Sequence, residues 1–319
     1  MNNLSNRRDF LKTSLRTSLT LAGLGLFNVG PAAAVEPIKR AGSPRLRLSL
    51  AAYSFRDYFK DANHKQEVTA NPAKRIDLFQ FIDYCADHGC DGTELTSYYF
   101  PKDINNEFLI KLRRHAFVRG VAVSGTAVGN NFAYPKGEQR DKEIAAVKQW
   151  IDRAAVLGAP HIRVFAGAAK GISDGEARTM CVSALEECCE YAGAKGIFLG
   201  LENHGGIVAE PDGLLEIVRA VKSPWLGVNL DTGNFQTVDP YADLAKCAPY
   251  AVNVQLKAEI RQRGKKENEP ADLSRLVKIL RDANYQGYVA LEYESKEDPW
   301  TAVPVLLKRM KDSFGLSTQ

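Results

Sequence analysis

Three carboxylates close three short apolar runs in the second half of the chain. Glu202, with Asn203 and His204, ends I-F-L-G-L; Asp231, with Asn234, ends L-G-V-N-L-D-T-G-N; Glu292, with Glu294, ends Y-V-A-L-E-Y-E. Between the second and third, V-N-V-Q-L-K-A-E delivers Gln255, Lys257 and Glu259. Carboxylates brought together repel, and some are forced to protonate unless a cation neutralises them. Oxygen donors of this kind suit a hard or borderline divalent ion such as Mn²⁺ or Mg²⁺ better than a thiolate-seeking one. The competing reading pairs each acid with a lysine or arginine at a rim. His204 lies two residues past Glu202, so on a strand it would lean to the same face. There it would bond a hydroxyl or shuttle a proton, or merely steady its neighbours. Lys257 alternates with Gln255 in the same way and would stabilise an oxyanion. Glu94, at the end of C-D-G-T-E-L, reads as a ligand for sugar hydroxyls or as a rim ion pair. Arg163, inside H-I-R-V-F, would need one of these acids or a substrate anion if buried.

The elements that must carry these groups alternate. Apolar runs of strand length fall at 46–55, 90–95, 120–128, 160–167, 197–202, 225–231, 251–257 and 287–294. Segments with helical spacing fall at 72–89, 105–119, 138–158, 174–195, 211–222, 240–248, 272–284 and 299–313. Gly158 and Gly196 read as helix stops. Alternating strand and helix implies a parallel sheet. Eight units in about 250 residues predict a (β/α)₈ TIM barrel, a single domain over 46–319. In that fold the strand ends converge on one mouth. Two smaller doubly wound domains are the alternative, weakened because no G-x-G-x-x-G opens a helix after the first strand. No P-loop is present.

Residues 1–34 read as a leader. Asn6-Arg7-Arg8-Asp9-Phe10-Leu11-Lys12 carries paired arginines, a mildly apolar stretch runs from Leu19 to Val29, and Pro31-Ala32-Ala33-Ala34 offers small residues for cleavage. This is the layout of a secretory signal whose paired arginines point to the twin-arginine route, so the mature chain is expected in the periplasm. The apolar stretch holds Thr20 and Asn28 and falls short of the roughly 20 residues that span a bilayer, so no membrane anchor remains after processing. Residues 35–45 are a polar linker. Arg7, Arg8, Lys12 and Arg16 against Asp9 give the leader a net +3 of the chain's +4. The rest is near neutral and gives no argument for nucleic acid. The six cysteines, Cys85, Cys90, Cys181, Cys188, Cys189 and Cys247, show no C-x-x-C spacing. Most fall on predicted helices, where Cys packs as a small hydrophobe.

The motifs E-N-H-G-G and L-D-T-G-N, on strands five and six of such a barrel, resemble those of the xylose isomerase-like TIM barrels. These are sugar phosphate isomerases and epimerases, with a secreted branch that carries twin-arginine leaders. The resemblance covers about 46–313. It implies one metal held by the acids of strands five, six and eight, here Glu202, Asp231 and Glu292, and by a strand-seven His. This chain has Gln255 at that place, which ligates through its carbonyl oxygen and favours Mn²⁺ or Mg²⁺, with Co²⁺ or Zn²⁺ as alternatives. The implied chemistry is an enediolate formed beside a polarised carbonyl, with Glu202 and Glu292 as both ligands and proton carriers. His204 and Lys257 would assist, and Glu94, Arg163 and Asn234 would bind substrate.

Phosphorylated sugars are mainly cytoplasmic, so export points to an unphosphorylated ketose or keto-sugar. Tyr53, Phe55, Tyr98, Tyr99 and Phe100 lie near enough to stack on a sugar, or serve as packing. Two other functions stand beside this one. A 3-keto-glycoside lyase or hydrolase would use the same enediolate for β-elimination. A periplasmic sugar-binding barrel would have lost catalysis, as the Gln255 replacement suggests. A nuclease of the endonuclease IV type needs a multi-histidine cluster, and the chain has five His in all. The sequence does not specify an oligomer, though it is compatible with a homo-oligomer.

Overall fold

The computed structural model describes residues 35–61, 72–168 and 171–316. The leader expected over 1–34, and residues 62–71 of the first long loop, lie outside the described residues.

Eight parallel strands close into a barrel. They are β1 (Arg45–Ala51), β2 (Gly92–Thr96), β3 (Ala122–Ala127), β4 (His161–Val164), β5 (Phe198–Glu202), β6 (Leu226–Asp231), β7 (Ala251–Leu256) and β10 (Gln286–Leu291). Their order around the ring is β1-β10-β7-β6-β5-β4-β3-β2, so the last strand closes on the first. The helices between them are α1 (Leu78–Asp87), α2 (Asn106–Val118), α3 (Glu138–Leu157), α4 (Asp174–Gly193), α5 (Pro211–Ala220), α6 (Pro240–Cys247), α7 (Leu273–Asp282) and α8 (Pro299–Phe314). The expected (β/α)₈ barrel is what forms.

Each helix begins and ends for a local reason. Asp77 and Gln80 make a reciprocal capping box at α1, and Ser173 with Glu176 makes another at α4. Gly158 ends α3 in the left-handed region at φ 82°, as expected. α4 stops earlier than expected, at Gly193, with Gly196 in the turn beyond it.

The strand alternation sorts the side chains. Leu48, Leu50, Leu95, Ile162, Val164, Leu199, Leu201, Val228, Leu230, Val254, Leu256, Val289 and Leu291 are buried and apolar. They occupy the parity that faces the helices. The opposite parity carries Glu94, His161, Arg163, Glu202, Asn229, Asp231, Asn253 and Gln255, all buried too. The barrel interior is therefore polar. Two register shifts re-aim it: β2 slips against β3 between Thr93 and Glu94, and β6 against β7 between Val228 and Asn229. Such bulges turn a side chain toward a site. Two interior glycines make room for His161. A Cβ on Gly200 would lie 2.3 Å from His161 Nε2, and one on Gly125 2.8 Å from Nδ1.

Several elements depart from the expected boundaries: strand four is the shorter His161–Val164, and the first helix starts at Leu78. The first strand stops at Ala51, and Ala52–Phe55 forms a 3₁₀ turn. The last strand stops at Leu291, so Glu292 and Glu294 stand just past it. The connection after strand seven holds an unexpected hairpin, β8 (Glu259–Ile260) with β9 (Glu269–Pro270). Two-residue strands are too short to show a period. Residues 35–44 run without regular structure but are fastened down. Val35 is buried, Ile38 N–H donates to Pro249 O at 2.9 Å, and Asn284 donates to Arg40 O at 2.9 Å.

Candidate active site

The expected site residues come together at the C-terminal mouth of the barrel. One cavity of about 230 Å³ is lined by Arg163, Glu202, His204, Asn234, Lys257 and Glu292, with Tyr53, Tyr98, Phe165 and Glu294 completing its wall. Asp231, Gln255 and Glu94 lie beneath that floor. Of the aromatics near strands one and two, Tyr53 and Tyr98 reach the cavity. Phe55, Tyr99 and Phe100 are buried in the core instead, where Tyr99 stacks on Phe59 at 4.3 Å.

Glu202 is held from both sides. Arg163 Nε lies 3.0 Å from its Oε2, and Asn234 Nδ2 donates to its Oε1 at 2.9 Å. The Arg163 contact is charge against charge, since its Nε–H is not aimed for a hydrogen bond. Arg163 also donates to Val128 O at 3.1 Å and lies 3.9 Å from the Phe165 ring centroid. Burial pushes the Glu202 carboxyl well above its ordinary range; Arg163 opposes this, while the charges of Asp231 and Glu292 add to it.

Lys257 gathers the other acids. Its Nζ is 2.6 Å from Glu292 Oε2 and 3.3 Å from Asp231 Oδ2, and it also bonds Glu294. Burial alone would neutralise this ammonium, but Asp231, Glu292 and Glu294 outweigh it and hold its pKa well up. Burial likewise opposes ionisation of Glu292, and the ammonium overcomes it, so Glu292 sits below its ordinary range. Burial raises Asp231 to about 7 against the pull of Lys257. Gly233 of L-D-T-G-N lets the lysine stem pass, because a Cβ there would lie 2.6 Å from Lys257 Cγ.

Under the floor runs a closed amide circuit that the sequence reading missed apart from its ends. Gln255 donates to Glu94 Oε1 at 2.6 Å and accepts from Asn229 at 2.6 Å. Asn253 donates to Glu94 Oε2 at 2.7 Å and to Asn229 Oδ1 at 2.8 Å. Asn229 and Asn253 were legible as inward positions by alternation with Asp231 and Gln255. Burial, with the Glu292 charge, raises Glu94 to about 7, and the two amides partly offset it. Asn203 turns away from the cavity and clamps β6, donating to Asp231 O and accepting from Asp231 N–H at 2.9 Å each. His204 lies beyond the strand, exposed at the mouth, its ring 4.6 Å from that of Phe165. Though its edge is open to solvent, partial desolvation by the neighbouring wall, with the Arg163 charge, lowers its pKa. Glu259, read as part of the same set, instead stands in the hairpin and accepts from Asn268 at 3.0 Å.

Among the described residues no three His, Cys, Asp or Glu side chains are grouped as a metal site. The donors nonetheless suit a divalent cation in chemistry and charge. Three are carboxylates, and burial pushes two of them, Glu202 and Asp231, above their ordinary range. Asp231 Oδ2, fully buried, accepts no hydrogen bond. The Lys257 ammonium stands between two of the three. Gln255 offers the acids its amide N–H face, 3.5 Å from Glu292 Oε1, and spends its oxygen on Asn229. It would present oxygen to a cation only with the amide turned over.

The family description for the xylose isomerase-like TIM barrel matches residues 82–311. The chain belongs to that family. Among solved structures, the D-psicose 3-epimerase of Clostridium cellulolyticum H10 with D-tagatose superposes with a TM-score of 0.65 at 15% identity, over 85% of this chain and 98% of that one. The 3-keto-D-glucoside 4-epimerase of E. coli gives 0.61 at 15%, over 84% and 100%. The probable 3-DHS dehydratase of Bacillus anthracis gives 0.59 at 15%, over 85% and 100%. At such identities the likeness is one of fold. No curated protein matches the sequence.

Proposed function

We propose that this barrel is a sugar isomerase or epimerase that moves a proton beside the carbonyl of an unphosphorylated ketose or keto-sugar. One observation carries the reading. Glu202 and Glu292, from β5 and from the end of β10, line one cavity three strands apart around the ring, each held by its own cation. Two carboxylates facing one sugar from different sides can take a proton from one face and return one to the other. The epimerases among the solved barrels of this fold support the same class.

Glu202, Asp231 and Glu292 would hold a divalent cation, Mn²⁺ or Mg²⁺ in preference to Co²⁺ or Zn²⁺, with Gln255 if its amide turns. Such a cation would polarise the substrate carbonyl and its neighbouring hydroxyl. The chain supplies the rest. Arg163 and Asn234 fix the Glu202 carboxyl so that its proton has one direction to travel. Lys257, reaching the cavity wall, stabilises negative charge that develops on the enediolate. Tyr53 and Tyr98 present rings to the C–H faces of a sugar. His204, at the mouth, meets a hydroxyl of the bound ring.

A second cavity of about 240 Å³ adjoins the first, sharing Asn234, Lys257 and Glu294 and adding Gln236, Arg261 and Asn268. That space favours a glycoside over a lone ketose as a second reading, with elimination of the attached group from a 3-keto-glycoside. Product analysis separates the readings. Ketohexoses and 3-keto-glucosides incubated with the protein should yield an epimer or isomer. Released aglycone without an epimer would favour elimination. Binding without either product would leave a sugar-binding barrel. The free-sugar preference rests on the exported location, which the twin-arginine leader supports.

A further inference from the structure

Lys257 holds a position that the proposed cation would need. Its Nζ bridges Glu292 Oε2 at 2.6 Å and Asp231 Oδ2 at 3.3 Å, and both residues belong to the proposed ligand set. One ammonium serves that set incompletely, because Asp231 Oδ2 is left with no hydrogen bond in a buried place. The third partner differs in kind. The Glu294 side chain is 40% exposed, against 7% for Glu292 and none for Asp231. Glu294 and Lys257 both border the second cavity as well as the first. The stem has a path toward it, over Gly233, where any side chain would collide with Lys257 Cγ and Cβ.

We propose that Lys257 is a displaceable counter-ion. Without a divalent cation its ammonium ties Asp231 to Glu292. When the cation arrives, the ammonium yields those two oxygens and keeps Glu294, moving into the space between the two cavities. There it faces bound sugar. The driving force is electrostatic: a divalent charge among buried carboxylates outcompetes a single charge at similar distance. The exchange costs little because Glu294 is already in contact, so the ammonium is never left buried and unpaired. This inference rests on the cation-binding part of the reading above.

The test needs only Mn²⁺ and the folded chain. Titration calorimetry of the wild type and of Lys257→Met gives the affinities. Lysine acetylation, read peptide by peptide by mass spectrometry, gives the accessibility of Lys257 with and without Mn²⁺, and exposed Lys142 and Lys278 serve as internal references. We expect one Mn²⁺ per chain, at least a tenfold tighter Kd in Lys257→Met, and at least a fivefold rise in Lys257 acetylation at saturation. Mn²⁺ binding with unchanged acetylation would overturn the displacement and leave the cation site standing. Mn²⁺ binding only to the variant would mean that the ammonium permanently replaces the cation, which also overturns it. No binding to either, with both folded by circular dichroism, removes the cation from the account altogether, while the sugar chemistry is still tested by product analysis. Should Lys257→Met fail to fold, the wild-type acetylation result decides alone.

Discussion

The amide of Gln255 donates to Glu94 Oε1 at 2.6 Å, joining β7 to β2 through the barrel interior. Both residues are nearly inaccessible, at 1% and 0% exposure. Three amides and one carboxyl close a circuit there, and every member has a partner. A polar interior of this kind is tolerable only while it stays complete. Gln255→Leu should therefore cost about 3 kcal/mol, because it strands Glu94 and Asn229 in a buried place. Urea denaturation would measure the loss. A change under about 1 kcal/mol would show that the circuit is not contributing as described.

Gly200 is fixed by His161 rather than by its own backbone. Its missing Cβ would stand 2.3 Å from His161 Nε2 and 3.0 Å from the Asn229 Cβ. Gly200→Ala should destabilise by about 2 kcal/mol, in the range of overpacked cores. His161→Ala in the same chain should relieve part of that cost. A double-mutant cycle tests it: additive losses would contradict the contact.

His161 also sets a pH dependence. Burial, with Arg163 beside it, holds its pKa down to about 3. The folded value lies below the unfolded one of about 6.5, so the fold favours the neutral ring. Its contribution is full above pH 6.5 and is lost as pH falls toward 3, by up to about 1.4 kcal/mol per pH unit. Thermal midpoints measured from pH 7 to 4 should fall less steeply in His161→Gln than in the wild type. Parallel curves would contradict the assignment.

Much of this was legible in the sequence, and the rest was hidden for physical reasons. Eight apolar runs separated by helical spacing predict a barrel rather than two doubly wound domains, and the strands do close into one. Acids at the ends of those runs had to converge on its mouth, and Glu202, Lys257 and Glu292 do line one cavity. What a run cannot show is which partner each group takes. Arg163 read as needing an acid, and Glu202 is that acid. Lys257 read as an oxyanion stabiliser, yet it spans Asp231, Glu292 and Glu294, a contact set by the length of its stem and by Gly233. Phe55, Tyr99 and Phe100 looked available to a sugar but face the core, because the chain turns into 3₁₀ geometry after β1 and again after β2.

The twin-arginine leader proposed for residues 1–34 makes a prediction of its own. If the chain is exported by that route, N-terminal sequencing of the mature protein should begin at Val35. Replacing Arg7 and Arg8 by Lys should retain the full-length chain in the cytoplasm. A mature chain that starts before Val35, or export that is indifferent to the pair, would remove the twin-arginine reading.

The central claim is proton transfer beside a carbonyl, with Glu292 as one of its carriers. The most direct measurement is solvent deuterium incorporation into a panel of ketoses and 3-keto-glycosides, with the wild type and Glu292→Gln compared by NMR. Deuterium should appear next to the carbonyl of at least one sugar and fall by a factor of about 100 or more in the variant. Sugars that bind but exchange no proton, with affinity unmoved by Glu292→Gln, would contradict the account and leave a binding protein.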